Sequence, residues 1–555
     1  MVAIRFHGGF SWFNSGGLAI PADENKTNTL TVDPEGYVIA TNATAVTLSK
    51  LGPWTVTHNG TIFSQNGDGL VLEAGAASAS RITIGETGLI SGTVAGLVLG
   101  STATLVNKGR IQGGLDALYM DGTNNTVTNS GIIDGGVIIR GEGTQKITNS
   151  GQITDGMSDI SNATVVSLTN SGSISGDVEL TASSLNTVTN SGTFGLLEAF
   201  SVGAVKLSNS STGYISKFYT SSGNLTVTNA GEIGEAWFSN GTDNVTNTGK
   251  MGGGSGGIVH FYGGNDIFRN SSLFDMQIDM GEGDDQFTGG NGREFMIDDK
   301  GSDKYSFGGG NDLYTVDALV GDGLDTVDGG AGIDTYNAAL AGVGVNINLD
   351  TVAHNFGPHA PGLIIAANTG LQGADKDIVK NFEVAIGSDF NDNIAGSAAA
   401  NTLIGRDGND ILFGYAGNDE LSGSAGNDRL IGGAGKDRLI GGVNGDHFIF
   451  EKASDSTQTA RDVIVEFEDN IDKIDLTAID ANTKNGSAIN DAFVYIGANG
   501  SFFTGVAGQL RSYWSPNGWV LEGDTNGDKK ADFAFEVHGD PTHAIDWVNG
   551  NDLLL

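Results

Sequence analysis

Residues 387–450 read GSDFNDNIAGSAAANTLIGRDGNDILFGYAGNDELSGSAGNDRLIGGAGKDRLIGGVNGDHFIF, and a nine-residue register runs through them without a slip. Glycine opens each unit at Gly387, Gly396, Gly405, Gly414, Gly423, Gly432 and Gly441. The sixth position reads Asp392, Asn401, Asp410, Asp419, Asp428, Asp437 and Asp446. The eighth is apolar throughout: Ile394, Leu403, Leu412, Leu421, Leu430, Leu439 and Phe448. Each nonapeptide supplies six residues of turn and three of strand, so two of them close one coil of a parallel β-roll around a thin core of eighth-position side chains.

The same spelling predicts a metal. Glycines at Gly405, Gly408, Gly414, Gly417, Gly423, Gly426, Gly432 and Gly435 permit turns that bring backbone carbonyls together. The aspartates add carboxylates, and calcium, a hard cation taking six to eight oxygens, fits between turns two units apart. The expected pairs are Asp392 with Asp410, Asp410 with Asp428, Asp428 with Asp446, and Asp419 with Asp437; neutral Asn401 should weaken its site.

A less regular array precedes this one. Asp285, Glu294, Asp303 and Asp312 stand nine apart, each followed two residues later by Phe287, Met296, Tyr305 or Tyr314. Asp325 and Asp334 form another nine-spaced pair with Val327 and Tyr336, and Gly263-Gly-Asn-Asp266-Ile-Phe268 is a degenerate copy. Asp285, Asp303, Asp312, Asp325 and Asp334 join the candidate metal ligands. Without a cation these carboxylates repel and the core is too thin to offset chain entropy, so metal binding should supply folding free energy.

Composition agrees. The 555 residues include 88 Gly, 7 Pro and no Cys, with 66 acidic against 28 basic side chains. The charge is uneven: residues 1–250 carry a net −8 and residues 251–555 a net −30. So acidic a segment repels nucleic acid and attracts cations. No cysteine chemistry is available, and no apolar run is long enough for a membrane helix. Met1 to Ser15 lacks the features of a secretory leader, which points to the cytosol or to export by a route that does not read the N-terminus.

Upstream, a different phrase recurs about every twenty residues. It starts at Asn107, Asn129, Asn149, Asn170, Asn190, Asn209, Asn229 and Asn247, usually as Asn-x-Gly, with fainter copies at Asn59-Gly60 and Gly88. Each follows a short alternating run such as Thr126-Val-Thr-Asn129, the period-two pattern of a half-buried strand. A unit this small cannot bury its own core, so units must stack as a parallel β-solenoid. Asn is expected to stack on Asn, with Gly supplying a positive-φ turn position. This half is similar to the passenger solenoids of bacterial surface proteins. Outward Thr128, Thr148, Thr169, Thr189, Thr228 and Thr246 form a second ladder, beside an irregular column of Thr126, Lys146, Ser167, Thr187, Lys206, Thr226 and Asn244.

The nonapeptide spelling, G-G-x-G-x-D-x-U-x, is that of RTX (hemolysin-type) calcium-binding proteins. After the roll come Phe448-Ile-Phe450, Arg461-Asp462-Val-Ile-Val-Glu466-Phe467, Asp472-Lys473-Ile474-Asp475-Leu476 and Gly523-Asp524-Thr-Asn526-Gly-Asp528-Lys-Lys-Ala-Asp532-Phe533. With Ile378 to Asp392 leading in, residues 260–555 resemble the C-terminal module of serralysin-type RTX proteins. The resemblance implies export by a type I secretion apparatus through an uncleaved C-terminal signal, which Asn551-Asp552-Leu-Leu-Leu555 looks like. The acids from Asp524 to Asp532 resemble the start of an EF-hand loop, but Phe535 stands where its bidentate Glu belongs.

Serralysin proteases carry H-E-x-x-H, and no such string occurs here. His354 and His359 read as an incidental loop pair, and no His lies between residues 100 and 250 to equip a catalytic solenoid. The fold expected is all-β: a solenoid over 1–250, an irregular roll over 251–340, a connecting segment 341–386, a regular roll 387–450, and a cap with secretion signal 451–555. The aromatic start (Phe6, Phe10, Trp12, Phe13) should cap the solenoid or dock a neighbour. The expected function is a secreted, non-enzymatic, calcium-dependent structural protein of a bacterial surface or matrix: an S-layer subunit, adhesin or biofilm component. Its partners would be calcium ions, copies of itself or surface polysaccharide, and the secretion apparatus. The alternatives are a polysaccharide-modifying solenoid enzyme of lyase or epimerase type, or a carbohydrate- or ice-binding rod.

Overall fold

A computed structural model of the chain describes residues 3–6, 11–14, 16–21, 28–49, 52–73, 79–159, 163–200, 203–221, 223–252, 257–297, 300–316, 323–356, 358–359, 364–365, 377–484, 491–538 and 552–555. Among them there is no helix, and hence none long and apolar enough to cross a membrane. The chain forms two compact units, Met1–Glu282 and Gly283–Leu555.

The first unit is a parallel β-solenoid. Thr126–Asn129 pairs with Ala103–Asn107 before it and Gly143–Asn149 after it, in register. Ile132–Ile139 bends around a corner and serves two further faces, pairing with Gln152–Ile153 and then Met157–Asp159. Each coil therefore has three strand segments. Val127, Ile133, Val137 and Ile139 point inward and are buried, as are Ile147, Ile153 and Met157 one coil on.

The expected Asn ladder is present and continuous. Asn107 Nδ2 donates to Asn129 Oδ1 at 2.7 Å, and the chain of side-chain amides runs on through Asn149, Asn170, Asn190, Asn209, Asn229 and Asn247 to Asn270, each link 2.7–3.0 Å. The second hydrogen of most of these amides caps backbone carbonyls; Asn129 Nδ2, for example, reaches the oxygens of Gly131 and Gln152. Within the ladder each Asn accepts from the one before it, with Asn107 Oδ1 at its start left without a partner, and each bond contributes about 1 kcal/mol net.

The glycine of the phrase has a different role from the one expected. Gly131, Gly151, Gly172, Gly192 and Gly249 do not adopt positive φ. A Cβ on each would instead run into the carbonyl oxygen of the equivalent glycine one coil earlier: Gly109, Gly131, Gly151, Gly172 and Gly231. Glycine is required there by the close approach of stacked coils. The repeat length also differs at the start. Ala3 pairs with Thr29, and Thr29 with Thr55, so these coils are 26 residues long. The ladder position there holds Val32, His58 and Ile84, in register with Asn107; without Asn the repeating phrase is faint. Ala3–Phe6 and Ser11–Asn14 pair with the coil that follows them. Phe10 and the side chains of Trp12 and Phe13 lie outside the described residues.

In the second unit the β-roll stands as expected. Thr402–Asp407, Glu420–Ala425 and Arg438–Val443 stack in parallel on one side. Asn393–Ala395, Ile411–Gly417, Arg429–Gly435 and His447–Ile449 stack on the other. All seven eighth-position side chains are fully buried. Ile378–Lys380 and Val384–Ile386 stack on the strands of the irregular array, Thr326–Asp328 and Thr335–Asn337. Val384–Ile386 also pairs with Thr402–Asp407, joining the two arrays on one side. On the other side Asn346–Asn348 stacks on Asn393–Ala395, and Phe356 packs with Ala395, Phe413, Ile431 and Ile449.

An antiparallel meander of Gln509–Ser515, Gly518–Asp524 and Phe533–Val537 follows, with its last strand parallel to Val463–Val465. Leu553–Leu554 pairs with Lys473–Asp475.

Candidate metal centre: ladders of buried carboxylates

The aspartates of the roll face inward at the turns, and each makes the same bond. Asp392 N–H donates to Asp410 Oδ1, Asp410 N–H to Asp428 Oδ1, and Asp428 N–H to Asp446 Oδ1, at 2.8–2.9 Å. Asn401 N–H to Asp419 Oδ1, and Asp419 N–H to Asp437 Oδ1, repeat it on the other side at 2.8 Å. The structure therefore brings together every pair named from the nonapeptide spacing.

The second carboxylate oxygen decides the chemistry. Oδ2 of Asp410, Asp419, Asp428, Asp437 and Asp446 is buried and has no hydrogen-bond partner. The first glycine of each nonapeptide makes room for that atom: a Cβ at Gly405, Gly414, Gly423 or Gly432 would press on the Oδ2 of Asp410, Asp419, Asp428 or Asp437. Gly408, Gly417, Gly426 and Gly435 supply the left-handed turn, with φ from 124° to 159°.

Buried carboxylates with an unpartnered oxygen are unstable as free anions. Burial pushes Asp410 and Asp419 up to about 8, with the charges of Asp392 and Asp428 adding to it at Asp410 and that of Asp437 at Asp419. Asp428 and Asp437 rise to about 6 and Asp446 to about 7, again chiefly through burial. Hard oxygen donors stacked at one spacing, negatively charged and lacking partners, fit a hard divalent cation. Among the described residues no three His, Cys, Asp or Glu side chains converge. That is consistent with turns that offer one carboxylate each and complete the shell with backbone carbonyls.

Two ends of the ladder differ. Asp392 spends Oδ2 on the Ser388 N–H and Oδ1 on the Ser388 hydroxyl, and Asn401 Oδ1 accepts the Ser397 N–H. In both units serine replaces the second glycine. In the irregular array Asp285 N–H donates to Asp303 Oδ1, and Glu294 N–H to Asp312 Oδ1. Asp303 N–H reaches Asp325, and Asp312 N–H reaches Asp334, both at 2.8 Å. Oδ2 of Asp312 and Asp334 is unpartnered and buried, like those of the regular roll. On the opposite side Asp303 and Asp325 instead accept the hydroxyls of Tyr305 and Tyr314.

Sequence reasoning missed rungs that continue the ladder beyond the nine-residue register. Asp334 N–H donates to Glu383, Asp437 N–H to Asp462, and Asp446 N–H to Asp472. Burial lifts Asp462 to about 9. The available signal was local: Asp462-Val-Ile464 and Asp472-Lys-Ile474 keep the acid-x-apolar phase after the glycines are lost.

Other sequence candidates separate. His354 pairs with Asp350 and stacks on Tyr415, whereas His359 lies between Glu451 and Arg429, so the two form no shared site. In the EF-hand-like run Asp524 accepts the Gly527 and Lys529 N–H groups, and Asp532 those of Thr525 and Asn526. Those oxygens are turned onto their own loop. On the solenoid, His260 stacks on Trp237 with ring centres 4.1 Å apart, and its Nδ1 lies 3.0 Å from Asp279. A search for histidine confined to residues 100–250 passes over it.

Comparisons with known proteins follow this geometry. The family described as Peptidase M10 serralysin C terminal matches residues 377–549. The family described as RTX calcium-binding nonapeptide repeat (4 copies) matches residues 281–314. No curated protein matches the chain. Among solved structures, a subunit of the mannuronan C5-epimerase of Azotobacter vinelandii is similar at 23% identity, over 30% of this chain and 78% of that one, with a TM-score of 0.16. The extracellular lipase of Serratia marcescens is similar at 17% identity over 49% of this chain, which spans only 40% of the lipase's, with a TM-score of 0.21. Residues 281–314 thus carry RTX repeats, which bind calcium in multiple copies, and residues 377–549 a serralysin-type C-terminal domain, within an all-β chain built as a parallel β-solenoid.

Proposed function

We propose that this is a structural protein of a bacterial surface or matrix, exported in a form that folds when it meets extracellular calcium and then associates with copies of itself or with surface polysaccharide. The proposed ligands are Asp410, Asp419, Asp428, Asp437 and Asp446 in the regular roll and Asp312 and Asp334 in the irregular one. Turn carbonyls complete each shell. Asp285, Asp303, Asp325 and Asp392 contribute less, since tyrosine or serine competes for three of them. The absence of a stabilising cation at cytosolic calcium levels keeps the roll open, and the millimolar calcium outside closes it.

The observation that carries the structural reading is the outer face of the solenoid. Thr128, Thr148, Thr169, Thr189, Ser208, Thr228 and Thr246 pair coil to coil, beside Thr126, Lys146, Ser167, Thr187, Lys206, Thr226 and Asn244. A flat row of short hydroxyls at one strand spacing suits a periodic partner better than a small substrate. Circular dichroism with light scattering during a calcium titration from zero to about 10 mM tests it. Gain of β structure with growth into ordered particles is expected; gain of β structure by a persistent monomer removes the self-assembly.

A second reading rests on the Tyr219, Trp237 and His260 column. These rings stack one coil apart, with Glu235 bonded to Tyr219 and Asp279 to His260. Such a cluster suits a saccharide-binding or saccharide-modifying surface. Turnover of uronate polymers lost in Trp237→Ala would favour it over a purely structural role.

A further inference from the structure

The turn that holds the acidic ladder of the roll is also built within the N-terminal solenoid, in a stretch that neither matching family covers. Asp243 Oδ1 accepts the Leu225 N–H at 2.8 Å, and Asp266 Oδ1 accepts the Asp243 N–H at 2.7 Å. This is the bond each roll aspartate makes with the coil before it. Gly264, two residues ahead of Asp266, has φ 116°, like Gly408 ahead of Asp410 at 134°. A Cβ at Gly241 or Gly264 would strike the carbonyl of Gly223 or Gly241, which are stacked as Gly408 and Gly426 are stacked.

Earlier coils fill the same place with neutral side chains. Asn125 Oδ1 accepts the Ala103 N–H at 2.9 Å, and Gln145 Oε1 accepts the Asn125 N–H at 3.3 Å. An amide therefore suffices for the fold, and the only thing a carboxylate adds at 243 and 266 is charge. Asp243 is fully buried, and its Oδ2 has no hydrogen-bond partner. The roll aspartates leave the same atom free. Two buried anions in neighbouring coils destabilise each other unless a cation or a proton neutralises them.

We infer that Asp243 and Asp266 form a divalent-cation site of the hard-oxygen kind that takes calcium, inside the N-terminal solenoid. Backbone carbonyls of the turn and water complete its shell. The competing account is a proton held between the two carboxyls, because burial raises Asp243 to about 8 and Asp266 to about 7. The site is independent of what the outer face binds.

Hydrogen exchange of the full chain, with and without calcium, separates the accounts. In the wild type the amides of Leu225 and Asp243 should exchange roughly tenfold more slowly at a calcium concentration ten times the site's Kd. Asp243→Asn should keep the chelator-state protection of these coils, as Asn125 does, and lose the calcium-dependent gain. The amides of Asp410 and Asp428 should still respond and report that the roll is intact; Asp266→Asn gives the same result by a second route. No calcium response at Leu225 and Asp243 in the wild type overturns the site, leaving the shared proton. A response that survives in both variants overturns it too, as protection transmitted from elsewhere.

Discussion

Replacing Asp428 by Asn should stabilise the calcium-free protein and destabilise the calcium-bound one. Asn keeps the Oδ1 that accepts the Asp410 N–H and the N–H that donates to Asp446. What changes is Oδ2, buried without a partner, which becomes an uncharged NH2. Without calcium the charge is a burden: burial lifts this carboxyl from 3.8 to about 6. At 1.36 kcal/mol per pH unit the ionised form costs roughly 3 kcal/mol at neutral pH. An unsatisfied buried amide costs about 1–3 kcal/mol, so Asp428→Asn should gain up to about 2 kcal/mol in chelator. With calcium the sign reverses. Asp428 stands between Asp410 and Asp446 and in the proposed arrangement serves two stacked sites; a tenfold loss of affinity at each would remove roughly 1.4 kcal/mol apiece. Urea unfolding of wild type and variant, each with excess chelator and with about 10 mM calcium, reads both signs. A loss in both conditions would mean that Oδ2 is held by something other than a cation. A gain in both would mean that no calcium sits there.

The remaining predictions concern pH, turn geometry and coil stacking. Asp410 and Asp419 titrate at about 8 and Asp446 at about 7 in the folded, metal-free chain, against 3.8 unfolded. The folded state therefore holds protons that the unfolded state has released. The stability they contribute is complete below about pH 3.8 and is lost progressively as pH rises from there through the folded values of about 7 and 8. Thermal melts in chelator should show a more stable roll at pH 5 than at pH 8, and calcium affinity should rise from pH 5 to pH 8 as protons cease to compete; the reverse order refutes the assignment. Ser424 is held at φ 82°, where an L side chain costs about 1–2 kcal/mol. Ser424→Gly should gain about 1 kcal/mol in calcium-bound unfolding, and no gain would mean that its Cβ carries compensating contacts. Gly172→Ala places a Cβ against the Gly151 carbonyl and should cost about 1–3 kcal/mol in the solenoid's unfolding transition. An unchanged midpoint would mean the coils can part without penalty.

The nonapeptide register was readable because each of its positions answers a separate physical demand. A carboxylate needs room at Gly405, a turn needs left-handed φ at Gly408, and a core needs Leu412. Nothing comparable marks the strand Asn346–Asn348, whose partner Asn393 lies 47 residues on; its register is held by the Val345 N–H on Asp392 Oδ1 and the Asn393 amide on Asn346, neither of which repeats a phrase. The first coils were faint for a related reason: the ladder position holds Val32, His58 and Ile84, which pack without repeating a phrase. The Asn-x-Gly glycine was legible as a requirement but not as a mechanism, because close approach and positive φ both select glycine, and only the carbonyl of the preceding coil distinguishes them.

The two halves nevertheless solve one problem with nearly the same group. Stacking parallel coils leaves turn N–H groups facing the coil ahead, and each needs an acceptor on a short side chain. Asn125 supplies an amide oxygen and Asp428 a carboxylate oxygen, with bonds of 2.9 and 2.8 Å. The second atom of the group sets the behaviour. At Asn125 it is an NH2 that donates to the Gly122 carbonyl at 2.7 Å, so the amide is satisfied within its own coil. At Asp428 it is an oxygen with no hydrogen to accept, a buried anion of the kind a divalent cation satisfies. Exchange of one atom on a common backbone turns a rung that satisfies itself into one that calls for a positive charge.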